Sequence, residues 1–267
     1  MRDLIQAAEA QLEGILRKAF TAAAERGALP AGAAFSAALT RPREAGRGDL
    51  ASACALAAGE LGLPPRRAAE LLLAELDLRG SFFASAEAAG PGYLNFRLGE
   101  SWYAAVLAAA EAEPGTAPAI PPMDEAAFLR AVGSDPALRE RQDGGNPLYR
   151  LRYACARLGT ILARESAPAL GPEAAAALLS SEAERSLLRG LALLPEAMRL
   201  AAEKRDAARL PRCLTEVTDR FYRWYHTAPF RAAEPDLRAA RLRLAAAVRR
   251  TLACGLAALG LSEDRVS

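Results

Sequence analysis

The stretch from Asn146 to Leu158 constrains the fold of this 267-residue chain more than any other part. Asn146 is of a type that caps helices, and Pro147 suits a first helical turn, so a helix is predicted to begin here. Apolar residues then recur at spacings of three and four, which is typical of one side of an amphipathic helix. They are Leu148, Leu151, Cys155, Leu158 and Leu162. The sequence therefore predicts a helix that packs through a leucine-rich side.

The opposite side of the same predicted helix combines aromatic and basic side chains. Aromatic rings can stack on unpaired bases, and guanidinium groups can contact phosphates. This side carries Tyr149, Arg152, Tyr153 and Ala156, and it is flanked by Arg150 and Arg157. The pattern predicts a helix that receives single-stranded nucleic acid.

These residues resemble a known family. Asn-Pro-Leu-Tyr at 146–149, Tyr-Ala at 153–154 and Ala-Arg at 156–157 resemble the opening of the helical, DALR-type anticodon-binding domain of arginyl-tRNA synthetases. The family usually carries Gln and His at the positions of Arg152 and Cys155, and an aromatic residue at that of Arg150. The resemblance implies that Tyr149, Arg152 and Tyr153 contact an anticodon.

Composition and charge agree with a helical protein that meets a polyanion. Hydrophobic residues make up 52% of the chain, and many are alanine, a strong helix former. From residue 139 onward there are 22 Arg or Lys against 15 Asp or Glu, a balance of +7, whereas residues 1–138 hold 12 against 17, a balance of −5. The C-terminal half is therefore expected to contact nucleic acid. A solvated arginine-rich surface is the alternative.

The cysteines and the single histidine argue against a metal site. Cys54, Cys155, Cys213 and Cys254 are far apart, and His226 is the only histidine. We expect free thiols in a reducing cytoplasm, and neither a cofactor nor a metal. The N-terminal residues do not follow the pattern of a signal peptide, and no apolar run reaches the length of a membrane span, so no membrane partner is expected.

The first 112 residues predict a compact α+β domain. A helix over 1–26 is followed by a short strand over 33–39 and a polar loop over 41–48. Helices are then predicted over 49–61 and 64–76, strands over 81–86 and 93–98, and a last helix over 101–112. The strands flank Gly90-Pro91-Gly92, a strong turn signal.

Two motifs in this part resemble the N-terminal additional domain of arginyl-tRNA synthetases. They are Gly-Asp-Leu-Ala-Ser at 48–52 and Ala-Gly-Pro-Gly-Tyr-Leu-Asn-Phe at 89–96. In the family this domain grips the tRNA elbow, which implies that Tyr93 and Asn95 meet an unpaired D-loop base. Strand alternation puts both on one face, where they offer a ring and an amide. Their structural alternative is a core tyrosine and a turn asparagine.

A proline-rich linker is predicted where a full synthetase would carry its catalytic domain. Residues 113–122 contain four prolines, so we expect domains at 1–112 and 124–267 joined by a linker at 113–123. The class I signatures His-x-Gly-His and Lys-Met-Ser-Lys are absent, because the sole histidine is His226 and the only lysines are Lys18 and Lys204. The sequence predicts no enzyme. The stretch from Met123 to Gln142 is interpreted as a remnant that led from such a domain into the helical one.

The rest of the chain predicts an all-α bundle, so the protein is mainly α overall. Helices are expected over 147–165, 173–194, 195–205, 209–226 and 235–259, separated by prolines. The fourth ends in Phe-Tyr-Arg-Trp-Tyr-His at 221–226, which resembles a run late in the synthetase domain. Its rings are predicted to be mostly core, with Trp224 and Tyr225 as candidate RNA contacts. Arg150, Arg157 and Arg223 are the predicted phosphate contacts, and His226 belongs to no recognisable catalytic triad.

The combined prediction is a non-catalytic tRNA-binding protein whose partner is arginine tRNA. A synthetase or a tRNA-modifying enzyme is a further candidate partner. Two alternatives remain open: the chain is the RNA-binding half of a split arginyl-tRNA synthetase, or it is a protein-interaction module derived from one. Arg150 in place of the family's aromatic residue keeps the second alternative open.

Overall fold

A computed structural model describes residues 3–30, 33–42, 47–112, 119–165, 169–203, 206, 208–228 and 233–263. It divides into two compact units, one formed by Ile5–Trp102 and the other by Met1–Leu4 with Tyr103–Ser267. The sequence assigned the helix over 101–112 to the first domain, whereas this division groups most of it with the second unit. Most of the predicted proline-rich linker lies outside the described residues.

The Ile5–Trp102 unit is an α+β fold, as predicted. Helix α1 spans Leu4–Glu25 and α2 spans Pro65–Ala74. The strands are β1 (Leu39–Thr40), β2 (Leu50–Ser52), β3 (Phe83–Ala89) and β4 (Tyr93–Leu98), and a short 3₁₀ helix covers Leu56–Leu61. They form one antiparallel sheet in the order β1-β2-β4-β3.

Two of the predicted elements in this unit are wrong. The expected helix over 49–61 is strand β2 followed by the 3₁₀ helix. The expected strand over 33–39 is irregular chain with a φ of +42° at Ala38, and strand β1 begins only at Leu39. The reason is a set of bonds to β4. The N–H of Asp49 donates to the carbonyl of Phe96 over 2.8 Å, and the Asp49 carboxylate accepts from the N–H of Leu98 over 2.8 Å. These non-local bonds outweigh local helix propensity.

The second unit is all-helical, as predicted. Its helices are α3 (Glu100–Glu111), which begins in the first unit, α4 (Glu125–Ala131), α5 (Pro147–Arg164), α6 (Pro172–Leu178), α7 (Glu182–Leu191), α8 (Leu193–Glu203), α9 (Arg209–Thr227) and α10 (Pro235–Ala258). A 3₁₀ helix covers Pro136–Glu140. Among the described residues, no helix combines the length and the apolar character that a membrane span needs.

The helix expected over 173–194 is two helices, α6 and α7, and α8, expected over 195–205, begins at Leu193. The break falls at Ser181, whose hydroxyl accepts from the N–H of Glu184 while the Glu184 carboxylate accepts from the N–H of Ser181. This reciprocal capping box starts a new helix. The sequence carries the Ser-x-x-Glu spacing of a capping box at 181–184. The prediction followed the alanine and leucine pattern, which runs through this point, and therefore placed one continuous helix here.

The leucine-rich side of α5 forms part of the core, which confirms its prediction. Leu148, Leu151, Cys155 and Leu158 are buried, and Leu162 is half-buried. Helix α5 contacts α4, α9 and α10. These contacts leave one side of α5 open beside α9.

Candidate nucleic-acid interface

The start of α5 is held by Asn146, which is buried. Its side-chain oxygen accepts from the N–H groups of Leu148 (2.9 Å) and Tyr149 (3.2 Å). Its side-chain nitrogen donates to the carbonyls of Leu138 (2.9 Å) and Arg141 (3.0 Å). The asparagine thus caps α5 and ties it to the preceding 3₁₀ helix, which places the first aromatic residue of the helix.

Tyr149 and Tyr153 form a stacked pair on the open side of α5. They are four residues apart, their ring centroids are 6.1 Å apart, and their planes differ by 27°. Tyr153 is 44% exposed, an unusually high value for a large ring in this structure. A ring fixed by a neighbour and open to solvent is suited to stacking on an unpaired base.

Helix α9 adds a second group of rings beside this pair. Tyr222 and His226 are stacked, with centroids 6.3 Å apart and planes 25° apart, and Tyr225 meets the His226 ring edge-on at 5.9 Å. We call the set Tyr149, Tyr153, Tyr222, Tyr225 and His226 the aromatic surface. Tyr222 and His226 were not among the residues predicted for a site, although their spacing of four repeats that of the two α5 tyrosines.

Arg150 of α5 contacts two residues of α9 next to the aromatic surface. Its guanidinium lies 2.8 Å from a carboxylate oxygen of Asp219 and 5.1 Å from the centre of the Tyr222 ring. The Tyr222 hydroxyl donates to the Arg150 carbonyl over 3.1 Å. Burial raises the pKa of Tyr222 to about 12, against the opposing effect of the Arg150 charge. The predicted phosphate contact Arg150 is therefore half-buried and already paired.

Arg157 and Arg223, the other two predicted phosphate contacts, are exposed. The Arg157 guanidinium donates to the Tyr225 hydroxyl from Nε (3.0 Å) and Nη2 (2.7 Å). This bond fixes the half-buried Tyr225 ring across the gap between α5 and α9.

Two residues predicted for this surface lie in the interior instead. Arg152 is 5% exposed; its Nε donates to the carbonyl of Ser262 over 2.9 Å, and its Nη1 donates to Glu125 over 3.0 Å. Trp224 is 0% exposed and packs on Phe221, with ring centroids 6.2 Å apart. Their assignment to an exposed anticodon surface is corrected. Residues distant in the chain bond to the Arg152 side chain, and Trp224 lies on the buried side of α9 with Phe221.

The second candidate site lies at the β3–β4 turn of the first unit. Tyr93 is 38% exposed at the start of β4, so it is no core tyrosine. Asn95 lies in mid-strand on the same face but is only 6% exposed, with Glu87 and Ala51 as its cross-strand neighbours. The two residues share a face as predicted, and Tyr93 is the accessible member.

The turn itself is closely packed. A side chain at Gly92 would place its Cβ 2.6 Å from the Cβ of Pro65 at the start of α2. The Arg66 guanidinium donates to the carbonyl of Ala88 over 3.1 Å. The Gly-Pro-Gly motif thus permits a turn that lies against α2 and carries Tyr93 at its exit.

The described titratable groups bear on two kinds of chemistry, metal binding and thiol reactivity. Among the residues that the structure describes, no group of three or more His, Cys, Asp or Glu side chains could hold a metal ion. Cys54, Cys155 and Cys213 are buried, and burial raises the pKa of Cys155 and of Cys213 to about 12. These thiols remain protonated and unreactive at neutral pH.

The fold and the exposed rings agree with comparisons against known families. Residues 151–263 match the DALR anticodon binding domain, so the chain is a protein with an anticodon-binding domain. Residues 10–98 match the arginyl tRNA synthetase N terminal domain. With both domains in the synthetase's own order, the chain is an arginyl-tRNA synthetase-like protein. No catalytic domain is among the matched ones.

Curated relatives support the same conclusion over part of the chain. Arginine–tRNA ligase of Bordetella pertussis is 39% identical over 118 residues, which are 44% of this chain and 21% of the ligase. The ligases of Thioalkalivibrio sulfidiphilus (35% over 130 residues) and Salinibacter ruber (34% over 133 residues) match 47% and 49% of this chain. In each case, the match spans less than a quarter of the ligase.

A solved structure shares the fold. Thermus thermophilus arginyl-tRNA synthetase aligns with a TM-score of 0.52 and 13% identity, over 97% of this chain and 100% of that one. At this identity the likeness concerns architecture alone.

Proposed function

We propose that this chain is a non-catalytic tRNA-binding protein that binds arginine tRNA in the cytoplasm. The observation that carries the proposal is the exposed Tyr153 ring, stacked on the half-buried Tyr149 on α5, within a domain that matches an anticodon-binding family. The absence of both class I signature motifs from the sequence supports a role without aminoacylation.

In this proposal, the aromatic surface receives unpaired anticodon bases. Each base stacked on a ring contributes about 1–3 kcal/mol, so the tyrosine pair with Tyr225 is sufficient to raise weak phosphate binding to a useful affinity. Arg157 and Arg223 supply the phosphate contacts, and binding weakens as salt concentration rises. Tyr222 and His226 extend the surface on α9.

The first domain, residues 1–112, is assigned to the tRNA elbow. Tyr93 stacks on a D-loop base, and Asn95 contacts the edge of that base through its small accessible area. Because Asn95 is mostly covered, we assign the larger part of the binding free energy at this site to Tyr93. Residues 124–267 are assigned to the anticodon.

The test is direct binding of purified protein to transcribed arginine tRNA and to non-cognate tRNAs. Tyr153→Ala is expected to weaken binding about tenfold, since one stacking ring is lost. Tyr153→Phe is the matched control, because it keeps the ring and should bind within about twofold of the wild type. Unchanged affinity in the alanine variant would remove the stacking role, and equal binding of all tRNAs would remove the arginine selectivity.

Two alternatives are separated by further measurements. A split synthetase predicts that aminoacylation is restored when this chain is mixed with a separately encoded catalytic domain. A protein-interaction module predicts a complex, for instance with a synthetase or a tRNA-modifying enzyme, that persists at high salt and after RNase treatment. Salt-sensitive tRNA binding that is lost with RNase treatment contradicts the interaction module, and failure of any separately encoded catalytic domain to restore aminoacylation contradicts the split synthetase.

A further inference from the structure

A cavity of about 680 Å³ lies in the helical unit, where the side of α4 meets the start of α9. We call it the α4–α9 cavity. Helix α4 lines it with Ala127 and with Arg130 and Ala131, which follow Ala127 at spacings of three and four and so share its side of the helix. The start of α9 adds Ala208 and Arg212. The volume is in the range of small-molecule sites, and no residue assigned above to RNA lines the cavity.

The segment before α4 forms an apolar wall of the cavity. Pro122 and Met123 belong to this wall. The N–H of Met123 donates to the carbonyl of Leu259 over 3.0 Å, at the end of α10. A Cβ at Gly260 would lie 3.1 Å from the Cβ of Pro122, so the two segments are in close contact. The wall is therefore held in place by the end of α10.

The two arginines of the lining are exposed and have no acidic partner. Among the described residues, neither Arg130 nor Arg212 forms an ion pair with a carboxylate. The Nε of Arg212 donates to the carbonyl of Ala131 over 2.9 Å, which orients the guanidinium and leaves its Nη hydrogens for a ligand. By contrast, Arg139 lies 2.9 Å from the carboxylate of Glu140. Two guanidinium charges thus remain at the cavity.

Two further features of the lining act on a charged ligand. The carboxylate of Asp124 is the N-cap of α4, where it accepts from the N–H of Ala127 over 2.7 Å, and its remaining lone pairs can accept from a hydroxyl. Ala208 is the N-cap residue of α9 and gives no side-chain cap, so the positive end of the α9 dipole lies at the cavity. The lining therefore favours an anion that also carries a hydroxyl group.

The charge of the two arginines indicates which anion fits. A phosphate monoester carries a charge of about −1.5 to −2 at neutral pH, whereas a carboxylate or an RNA phosphodiester carries a single negative charge. The planar guanidinium group also matches the geometry of phosphate oxygens. We propose that the α4–α9 cavity binds a small organic phosphate, whose phosphate contacts Arg130 and Arg212 and whose hydroxyl group donates to Asp124. This site is independent of the proposed RNA binding.

The probe is ribose 5-phosphate, which has a phosphate monoester and hydroxyl groups but no base that could stack on Tyr153. Isothermal titration calorimetry of the full chain is expected to show saturable binding to one site. Ribose lacks the phosphate, and inorganic phosphate lacks the part that carries hydroxyl groups. Each is expected to bind at least about tenfold more weakly than ribose 5-phosphate.

Arg130→Gln tests the site with little risk to the fold, because Arg130 has no ion pair to lose in the described part of the chain. It is expected to weaken ribose 5-phosphate binding about tenfold, as for one hydrogen bond to a charged group. Arg139→Gln is the matched control, since it removes the same charge from an exposed residue that does not line the cavity. Its affinity should stay within about twofold of the wild type. Circular dichroism melting checks that both variants are folded.

Each outcome supports or overturns the site. A wild type without saturable ribose 5-phosphate binding, or equal weakening in Arg130→Gln and Arg139→Gln, overturns it. Inorganic phosphate that binds as tightly as ribose 5-phosphate would indicate an adventitious ion only. An Arg130→Gln variant that loses affinity for tRNA and keeps its affinity for ribose 5-phosphate would assign Arg130 to RNA instead. In all of these cases, tRNA binding by the wild type still supports the proposed function.

Discussion

Arg152 and Tyr153 are neighbours in the chain that lie on different sides of α5. Successive residues of an α-helix point about 100° apart, so one can be covered while the next is open. Arg152 is buried against Glu125, and Tyr153 is exposed beside Tyr149. Arg152, which was predicted to contact an anticodon, instead stabilises the fold, and the Tyr153 ring is available for binding.

Tyr222 leads to a prediction about alkaline pH. Burial raises its pKa from the usual value near 10 to about 12. Between these values the unfolded chain has released the proton and the folded chain has kept it, so stability falls as pH rises. Tyr222→Phe is therefore expected to lose less stability than the wild type between pH 10 and 12.

Urea unfolding at several pH values measures this difference. Cys155 and Cys213, whose thiol pKa values are also raised, are present in both proteins and cancel in the comparison. At neutral pH the variant should be about 1 kcal/mol less stable, because the bond to the Arg150 carbonyl is lost. Parallel pH profiles for the two proteins would contradict the assigned pKa.

Helix α5 begins at a cap residue, Asn146, that also bonds to the segment before the helix. The single Asn146 side chain satisfies two backbone N–H groups of α5 and two carbonyls before it. Tyr149, whose N–H is one of those capped, belongs to the aromatic surface. The start of the helix and the position of its first ring are therefore coupled.

Replacing Asn146 should lower the free energy of unfolding. Asn146→Ala leaves both sets of groups without their partner and is expected to destabilise the protein by about 2–3 kcal/mol. Asn146→Asp keeps the acceptor for the N–H groups and loses the donor for the carbonyls, so it separates the two contributions. Chemical denaturation measures both variants, and a loss below about 0.5 kcal/mol for the alanine variant would show that the cap is dispensable.

The contact between α9 and α10 gives a second prediction at this scale. A Cβ at Gly255 would lie 2.3 Å from Cδ2 of Leu214, which is fully buried. Gly255→Ala should therefore destabilise the helical unit by about 1–3 kcal/mol through overpacking. Gly159→Ala in α5 is the control, since its nearest neighbour is Arg249 Nε at 3.4 Å and helix propensity favours alanine. Equal thermal shifts in the two variants would refute the packing explanation.

Charge is distributed unevenly between the two halves of the chain. The balance is +7 from residue 139 onward and −5 before it. Arg223 is an exposed basic residue on α9 one position from Tyr222. The number of phosphate contacts is measured by how steeply tRNA affinity falls as salt concentration rises.

Arg223→Gln is expected to weaken binding to all tRNAs and to reduce the slope of log affinity against log salt by about one. Arg209→Gln is the control, because Arg209 is exposed at the other end of α9, about 20 Å along the helix axis. Affinity measured at several salt concentrations distinguishes the two variants. The same reduction in both would mean that only net charge matters.

Much of the fold was predictable because its signals are local. The Asn-Pro start of α5, its leucine spacing, the Gly-Pro-Gly turn and the prolines between helices each act within a few residues. The region 47–61 was not predictable in this way. There, Gly48 has a φ of +78°, and its Cβ would lie 2.7 Å from the Phe96 carbonyl oxygen, a contact made with a strand distant in sequence.

The motifs at 48–52, 89–96 and 146–157 were enough to indicate the family, and helix periodicity was enough to put Tyr149 and Tyr153 on one side of α5, because both are local properties of the chain. Which polar and aromatic residues stay on the surface depended on the tertiary structure. Glu125 and Ser262, both distant in sequence, bond to the buried Arg152 side chain, whereas Tyr222, His226 and Asp219 stay at least partly exposed on α9. Periodicity tells which residues share a side of a helix, but which side is buried depends on the elements that pack against it, and those come from distant parts of the chain.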